Sequence, residues 1–144
     1  MTEQVFEKTL TANDTGETGG HQAGMHIPKS QKELIEFLPK LDPDIKNPDL
    51  WLYCTDQDDN EWQFRYIHYN NRLHDPSGTR NEYRITHMTQ FFRAIGASSG
   101  DTFRISGVAG ENTYRVAIEK SVGDAETTTG RATRIKLRGW RRVH

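Results

Sequence analysis

Hydrophobic positions along the chain fall into short runs with two distinct periods. Over residues 61–70, Trp62, Phe64 and Tyr66 alternate onto one face, with Gln63, Arg65 and Ile67 on the other. This two-residue period predicts a half-buried strand. A slip of one residue would turn the aromatic face to solvent, so the register is well specified. Residues 102–108 (Phe103, Ile105) and 113–119 (Tyr114, Val116, Ile118) repeat the pattern, with Gly107, Gly110 and Asn112 marking a hairpin between them. Residues 5–10, 22–27, 50–55 and 82–86 complete seven predicted strands. Pro28 closes the second, because proline cannot donate to a sheet ladder. Helical spacing occurs twice. From Ser30, which has capping-box spacing to Glu33, residues Leu34, Ile35, Phe37 and Leu38 share a face until Pro39. Residues 89–95 place Phe91, Phe92 and Ile95 inward and stop at Gly96. Pro43 and Pro48 make an irregular connection, residues 56–60 a turn, and residues 72–79 a loop.

Short strands with two helices predict a curved or barrel-like sheet whose open ends the helices cover. A length of 144 residues allows one domain with a modest core. The apolar fraction is only 33%, which leaves much polar loop. No run approaches the roughly 18 apolar residues that would span a bilayer. The first ten residues lack a basic and then apolar leader pattern, so a cytoplasmic location is expected. Cys54, the single cysteine, cannot form an internal disulfide and sits in an apolar run, as a small buried residue would. The net charge of −1 is unevenly spread: residues 131–144 hold six basic and no acidic residues. That leaves 13 basic against 20 acidic, or −7, for the other 130. A negative body repels nucleic acid at long range, which counts against a nonspecific, charge-driven binder and leaves room for a selective one. Residues 121–130 are polar. Residues 132–143 are basic with apolar residues interspersed, as in a last strand or the start of a linker.

The most unusual stretch is a polar, glycine-rich loop over residues 12–20, returning at His21. Asn13, Asp14, Thr15 and Thr18 offer donors and acceptors, while Gly16, Gly19 and Gly20 permit close backbone approach. On composition alone this is a polar hairpin loop. It is not a phosphate-binding P-loop, because no Lys-Ser/Thr pair follows the last glycine. The acidic turn at Asp56, Asp58, Asp59 and Glu61 lacks the glycine at position six and the acid at position twelve of a calcium loop. The six histidines show no zinc spacing. Asp49 and Glu61 could pair as nuclease acids, but Gln63 stands where such a site expects lysine. No cofactor or metal is therefore expected.

The string Ala12–Pro28, ANDTGETGGHQAGMHIP, resembles the first DNA-contacting loop of the N-terminal effector domain of EcoRII-type restriction endonucleases. These domains belong to the plant B-three-like DNA-binding pseudobarrels. A second string over residues 78–86, GTRNEYRIT, resembles the second DNA-contacting loop of the same domain. The resemblance implies a mainly β (α+β) fold, a seven-stranded open β-barrel of the DNA-binding pseudobarrel type with two short helices at its ends. The barrel spans residues 1–120, and residues 121–144 form a polar and then basic tail, a last strand or a linker to a catalytic domain. The two loops act in this family as arms that enter the major groove, here over residues 12–22 and 70–84. Matched residue by residue, the first arm would contact double-stranded DNA through Asn13, Asp14, Thr18, Gly19, Gly20 and His21. Arg80, Glu82 and Arg84 would do so from the second, with Asn81 shaping the loop, and Lys8 and Arg65 match further basic contacts. Without the match, Arg80 and Arg84 read as a solvated or salt-bridged pair with Glu82.

This chain departs from the family pattern at several places. Gly78 and Tyr83 stand where lysines are expected, which should weaken phosphate binding, and His26 replaces an aromatic residue. The second arm is longer by about two residues around Asp75 to Ser77, which bears on the target. The implied function is sequence-specific recognition of a short site, CCWGG-like, by a non-catalytic domain of a type IIE-like restriction enzyme, with a nuclease domain covalently linked. The alternatives are a small metal-dependent nuclease using the acidic turn and a protein-binding β-domain whose arms grip a polypeptide.

Overall fold

A computed structural model describes residues 3–16, 24–121 and 139–143. Eight strands and four short helices follow in the order β1 (Glu3–Thr9), α1 (Ala12–Thr15), β2 (Met25–Ile27), α2 (Lys32–Phe37), β3 (Asp49–Thr55), β4 (Glu61–Tyr69), α3 (Asn71–His74), β5 (Glu82–Thr86), α4 (Thr89–Ile95), β6 (Thr102–Val108), β7 (Thr113–Glu119) and β8 (Trp140–Arg142). All eight strands form one sheet in the order β2-β5-β4-β3-β7-β6-β1-β8. The parallel pair β3–β7 joins two antiparallel halves. The sheet curls into a nearly closed barrel. Its two edge strands approach each other at a seam, where the Trp140 indole donates to the His26 carbonyl at 3.1 Å. Gln31 donates to the Trp140 carbonyl at 3.2 Å from the adjoining α2.

The inward faces supply the core: Leu52 and Cys54 from β3, Phe64 and Tyr66 from β4, Phe103 and Ile105 from β6, and Tyr114, Val116 and Ile118 from β7, all nearly inaccessible. Burial pushes the Cys54 thiol up to about 12, so it is a packing residue rather than a nucleophile. The helices cover opposite ends of β6. Phe37 of α2 packs on Phe6 and Tyr114, at 4.9 and 5.1 Å between ring centroids. Phe91 of α4 meets Phe64 and Trp62 edge-on at 5.2 and 5.5 Å and Phe103 at 6.2 Å.

Several expectations need correction. Among the described residues there are eight strands rather than seven, because Trp140–Arg142 pairs with β1, Lys8 opposite Trp140, which makes the end of the tail the last strand that was one of the two expectations for it. The helix α2 is capped at Gln31 without a side-chain bond, so the Ser30–Glu33 box does not form. Gln31 is held there by its bond to the seam. Gly107 is not part of the hairpin turn but lies within β6 opposite Tyr114. A β-carbon at Gly107 would stand 2.8 Å from the Tyr114 ring, so glycine is required for that ring to lie flat on the strand. Finally, the predicted loops at 12–20 and 72–79 each contain one helical turn, α1 and α3. Four residues are too few to show a hydrophobic period, and local hydrogen bonds form these turns instead.

Candidate nucleic-acid interface

The first arm leaves β1 through a capping box. The Thr11 hydroxyl accepts from the Asp14 amide at 3.1 Å, and the Asp14 carboxylate accepts from the Thr11 amide at 3.0 Å. That carboxylate also pairs with Lys8. Both side chains are about nine-tenths buried, so each charge is satisfied by the other at the root of the arm. The far side is tied by Gly24, whose amide donates to the Asp14 carbonyl at 3.0 Å. Lys8 and Asp14 thus lie beneath the arm, and Asn13 lies on the outer groove. Thr18, Gly19, Gly20 and His21 lie outside the described residues.

The second arm is anchored by Asn70, which is fully buried. Its side chain accepts from the Asn47 amide at 2.6 Å and donates to the Ile45 carbonyl at 2.9 Å, and its amide donates to the Asn47 side chain at 3.1 Å. Asn71 continues the anchorage by accepting from the Arg80 amide at 2.9 Å, while the Arg72 amide donates to the Arg80 carbonyl at 2.9 Å. These bonds draw the two sides of the arm together so closely that a β-carbon on Gly78 would stand 2.2 Å from the Asn71 carbonyl oxygen. Glycine at 78 is thus demanded by the local path of the arm. Lys46 reaches across to Asp75, and His74 lies 2.9 Å from the Pro43 carbonyl.

Within this frame Arg80 is held twice. Its guanidinium lies 3.7 Å over the Tyr69 ring, and its Nε and Nη2 donate to one Glu82 oxygen at 2.9 and 2.7 Å. The other Glu82 oxygen faces Arg84 at 3.9 Å and His26 at 3.8 Å. The salt-bridged arrangement considered from the residues alone is therefore the one observed. It also orients Arg80, since a planar fork held on a ring presents its donors in a fixed direction. Asn81 turns inward to His68 at 2.9 Å, and that imidazole stacks on Tyr83 at 4.1 Å.

The strands place these groups on one surface. On the outer face of the sheet, Arg65 pairs with Trp51 on one side and Thr86 on the other, Ile67 pairs with Asp49 and Arg84, and Tyr69 pairs with Glu82. Asp49 accepts from Arg65 Nε at 2.6 Å. An open groove of about 570 Å³ runs over this face, lined by Asn13, Arg65, Tyr69, Arg80, Arg84, Thr86 and His87. Four expected residues, Asn13, Arg65, Arg80 and Arg84, meet there from both arms and β4. Glu82 lies at its edge through its ion pairs. Tyr69, Thr86 and His87 were not anticipated. Tyr69 continues the outward alternation of Arg65 and Ile67, which is the signal that would have found it. Three guanidinium groups in one groove suit an anionic, planar-edged ligand, because each fork can donate two parallel hydrogen bonds.

The acidic turn is held together by Asp56. Asp56 is buried and accepts from the Trp62 indole at 2.8 Å and from the Asp58 and Asn60 amides at 2.8 and 3.0 Å. Burial works to raise its carboxyl pKa, but these hydrogen bonds outweigh it and hold the group below its ordinary range. Its oxygens serve the turn. Among the described residues, no three His, Cys, Asp or Glu side chains converge as metal ligands would. None of the described helices is long and apolar enough to cross a membrane.

Comparison with known proteins identifies relatives of the chain. A family model described as restriction endonuclease EcoRII, N-terminal, matches residues 2–102. The type II restriction enzyme EcoRII of Escherichia coli is 40% identical over 93 residues, covering 60% of this chain and 21% of that enzyme. The chain thus spans about a fifth of that relative's length. Among solved structures, the Arabidopsis FUS3–DNA complex superposes with a TM-score of 0.59 at 22% identity, covering 83% of this chain and 99% of the other. A hypothetical Arabidopsis thaliana protein gives 0.55 at 14% identity, covering 83% and 93%. Both share the fold of this chain. Because the family pattern runs through both arms and the barrel between them, this chain belongs to the EcoRII N-terminal family.

Proposed function

We propose that this chain is a double-stranded DNA recognition domain that reads a short sequence through its two arms in the major groove. The observation that carries the reading is the convergence of Asn13, Arg65, Arg80 and Arg84 on one groove, drawn from both arms and the strand between them. Arginine pairs bidentately with guanine O6 and N7, glutamate accepts from a cytosine amino group, and asparagine reads adenine or positions a base. Arg80, Glu82 and Arg84 alternate along β5 and its approach, so they share one outward face. In this reading Lys8 and Asp14 set the pose of the first arm, and Asn81 sets that of the second. Thr18, Gly19, Gly20 and His21 supply further contacts from the first arm. The EcoRII relative is a restriction enzyme, and the FUS3 relative was solved bound to DNA. Both lend support to DNA as the ligand.

The target is a CCWGG-like site, and the domain recognises it by hydrogen bonding, without breaking a bond. In a longer type IIE-like restriction enzyme, DNA held here would activate or position a linked nuclease domain. Fluorescence anisotropy with a CCWGG duplex and a scrambled duplex, each across a salt series, tests the reading. Tighter binding to the first that persists as salt rises is expected. Equal, salt-sensitive binding to both would refute sequence reading, and binding to neither at low salt would refute DNA as the ligand.

A further inference from the structure

The groove does not end at Arg65. Directly across β3 from Arg65 stands Trp51, whose indole is 42% exposed on the outer face. The Trp51 ring meets His87 edge-on, with 5.3 Å between centroids. His87 and Thr86 line the groove, and Thr86 is the partner of Arg65 in β5. Trp51, Arg65 and Thr86 therefore form one row across three strands, with His87 at its end. Two features of this row are costly to the fold and do nothing for its core. A large aromatic is left facing water, and His87 adopts φ of 65°, a left-handed backbone that non-glycine residues seldom take. The Thr86 hydroxyl lies 3.0 Å from His87 Nδ1, which fixes the ring and leaves Nε2 for another partner.

The spacing says which partner. Along β4 the row lies four residues from Tyr69, on which Arg80 rests, or about 14 Å at the rise of an extended strand. The DNA major groove is about 12 Å wide. The bases lie on the floor of that groove and the sugar–phosphate ridges on its two sides, and because Arg65, Thr86 and His87 line the same protein groove as Arg80 and Arg84, a ridge flanking the bases can rest on this row. Arg65 and His87 Nε2 offer donors to phosphate when the Thr86 hydroxyl donates to His87 Nδ1, and the indole offers a flat apolar face to deoxyribose. The Asp49 carboxylate beside this row accepts from Arg65 Nε at 2.6 Å.

We infer that Trp51 and His87 extend the contact expected of Arg65 into a rest for the duplex backbone, beside the bases read by the arms. This rests on the DNA-recognition reading above. It predicts that Trp51→Ala and His87→Asn, the latter keeping a residue that tolerates left-handed backbone, each weaken binding several-fold and equally on CCWGG and scrambled duplexes. It also predicts that DNA shields Trp51 from acrylamide quenching. The shielding would be seen in the wild-type chain and absent in Trp51→Phe. Because Trp51 is exposed, these variants spare the core. If the wild-type chain binds duplex while Trp51 stays fully quenchable and Trp51→Ala binds normally, the rest does not exist but the recognition reading survives. If Trp51→Ala changes the ratio between the two duplexes, the residue reads bases and the inference is wrong. If the wild-type chain binds no duplex, both fall together.

Discussion

Replacing Arg80 by alanine separates recognition from stability, because its free-state partners are all at the surface. In the unbound domain Arg80 makes a part-exposed ion pair with Glu82 and a ring contact with Tyr69. An exposed pair contributes about 0.2–1 kcal/mol and an exposed cation–π contact about 0.5–1 kcal/mol. Fold stability should therefore fall by only about 1 kcal/mol. If Arg80 pairs bidentately with a guanine, its loss should cost about 1–3 kcal/mol of binding, on the preferred duplex only. That corresponds to a rise in Kd of about 5- to 150-fold. The observed loss should lie toward the upper end, because the truncation also strips Glu82 of its strongest partner and leaves a bare carboxylate at the groove. The double variant Arg80→Ala, Glu82→Gln isolates this contribution and should recover part of the loss. Anisotropy titrations against preferred and scrambled duplexes, with a thermal melt of each variant, make the measurement. Equal weakening on both duplexes would make Arg80 a phosphate contact. Unchanged binding would remove the groove from recognition altogether.

Three other outcomes are expected. Trp140→Ala empties the seam between β8 and β2 and should cost about 3–5 kcal/mol in a urea melt, whereas Trp140→Phe, which loses the bond to the His26 carbonyl and the volume of the second ring but keeps an aromatic there, should cost less. Gly78→Ala should strain the second arm by about 1–3 kcal/mol, because its β-carbon meets backbone rather than a yielding side chain; an unchanged melt would mean the arm relaxes freely. Stability should also fall in acid through Glu7 and Asp101. Burial works to raise both carboxyls, but Arg104 and Arg141 at Glu7, and Lys120 with the Ser98 and Ser121 amides at Asp101, outweigh it and lower both. The stabilisation is thus complete above their ordinary values of 4.5 and 3.8 and is lost as pH falls through the lowered folded values. Glu7→Gln with Asp101→Asn should reduce stability at neutral pH and flatten the acid limb of the curve; a limb as steep as wild type would contradict this.

What the sequence determined by itself was the set of local choices. The alternation of Phe103 and Ile105, of Tyr114, Val116 and Ile118, and of Phe64 and Tyr66 decided which strands exist and which face each buries, since side chains on an extended chain must alternate. The spacing of Phe91, Phe92 and Ile95 likewise decided α4. The two arm strings, matched in order, pointed to the family before any coordinates. Tertiary structure alone decided what depends on residues distant along the chain. Lys8 and Asp14 look like exposed charges in the sequence, yet the capping box folds the arm back so that they bury each other. The tail from Trp140 joined the sheet because β1 had an open edge and the seam needed an indole, neither of which is a local property. Gly78 looked like a lost cation and proved to be the only side chain small enough for the close approach of the two sides of the arm. The groove itself came from strand register: a pairing that sets Trp51, Arg65 and Thr86 in one row is fixed by the whole sheet, and no run of neighbouring residues contains it.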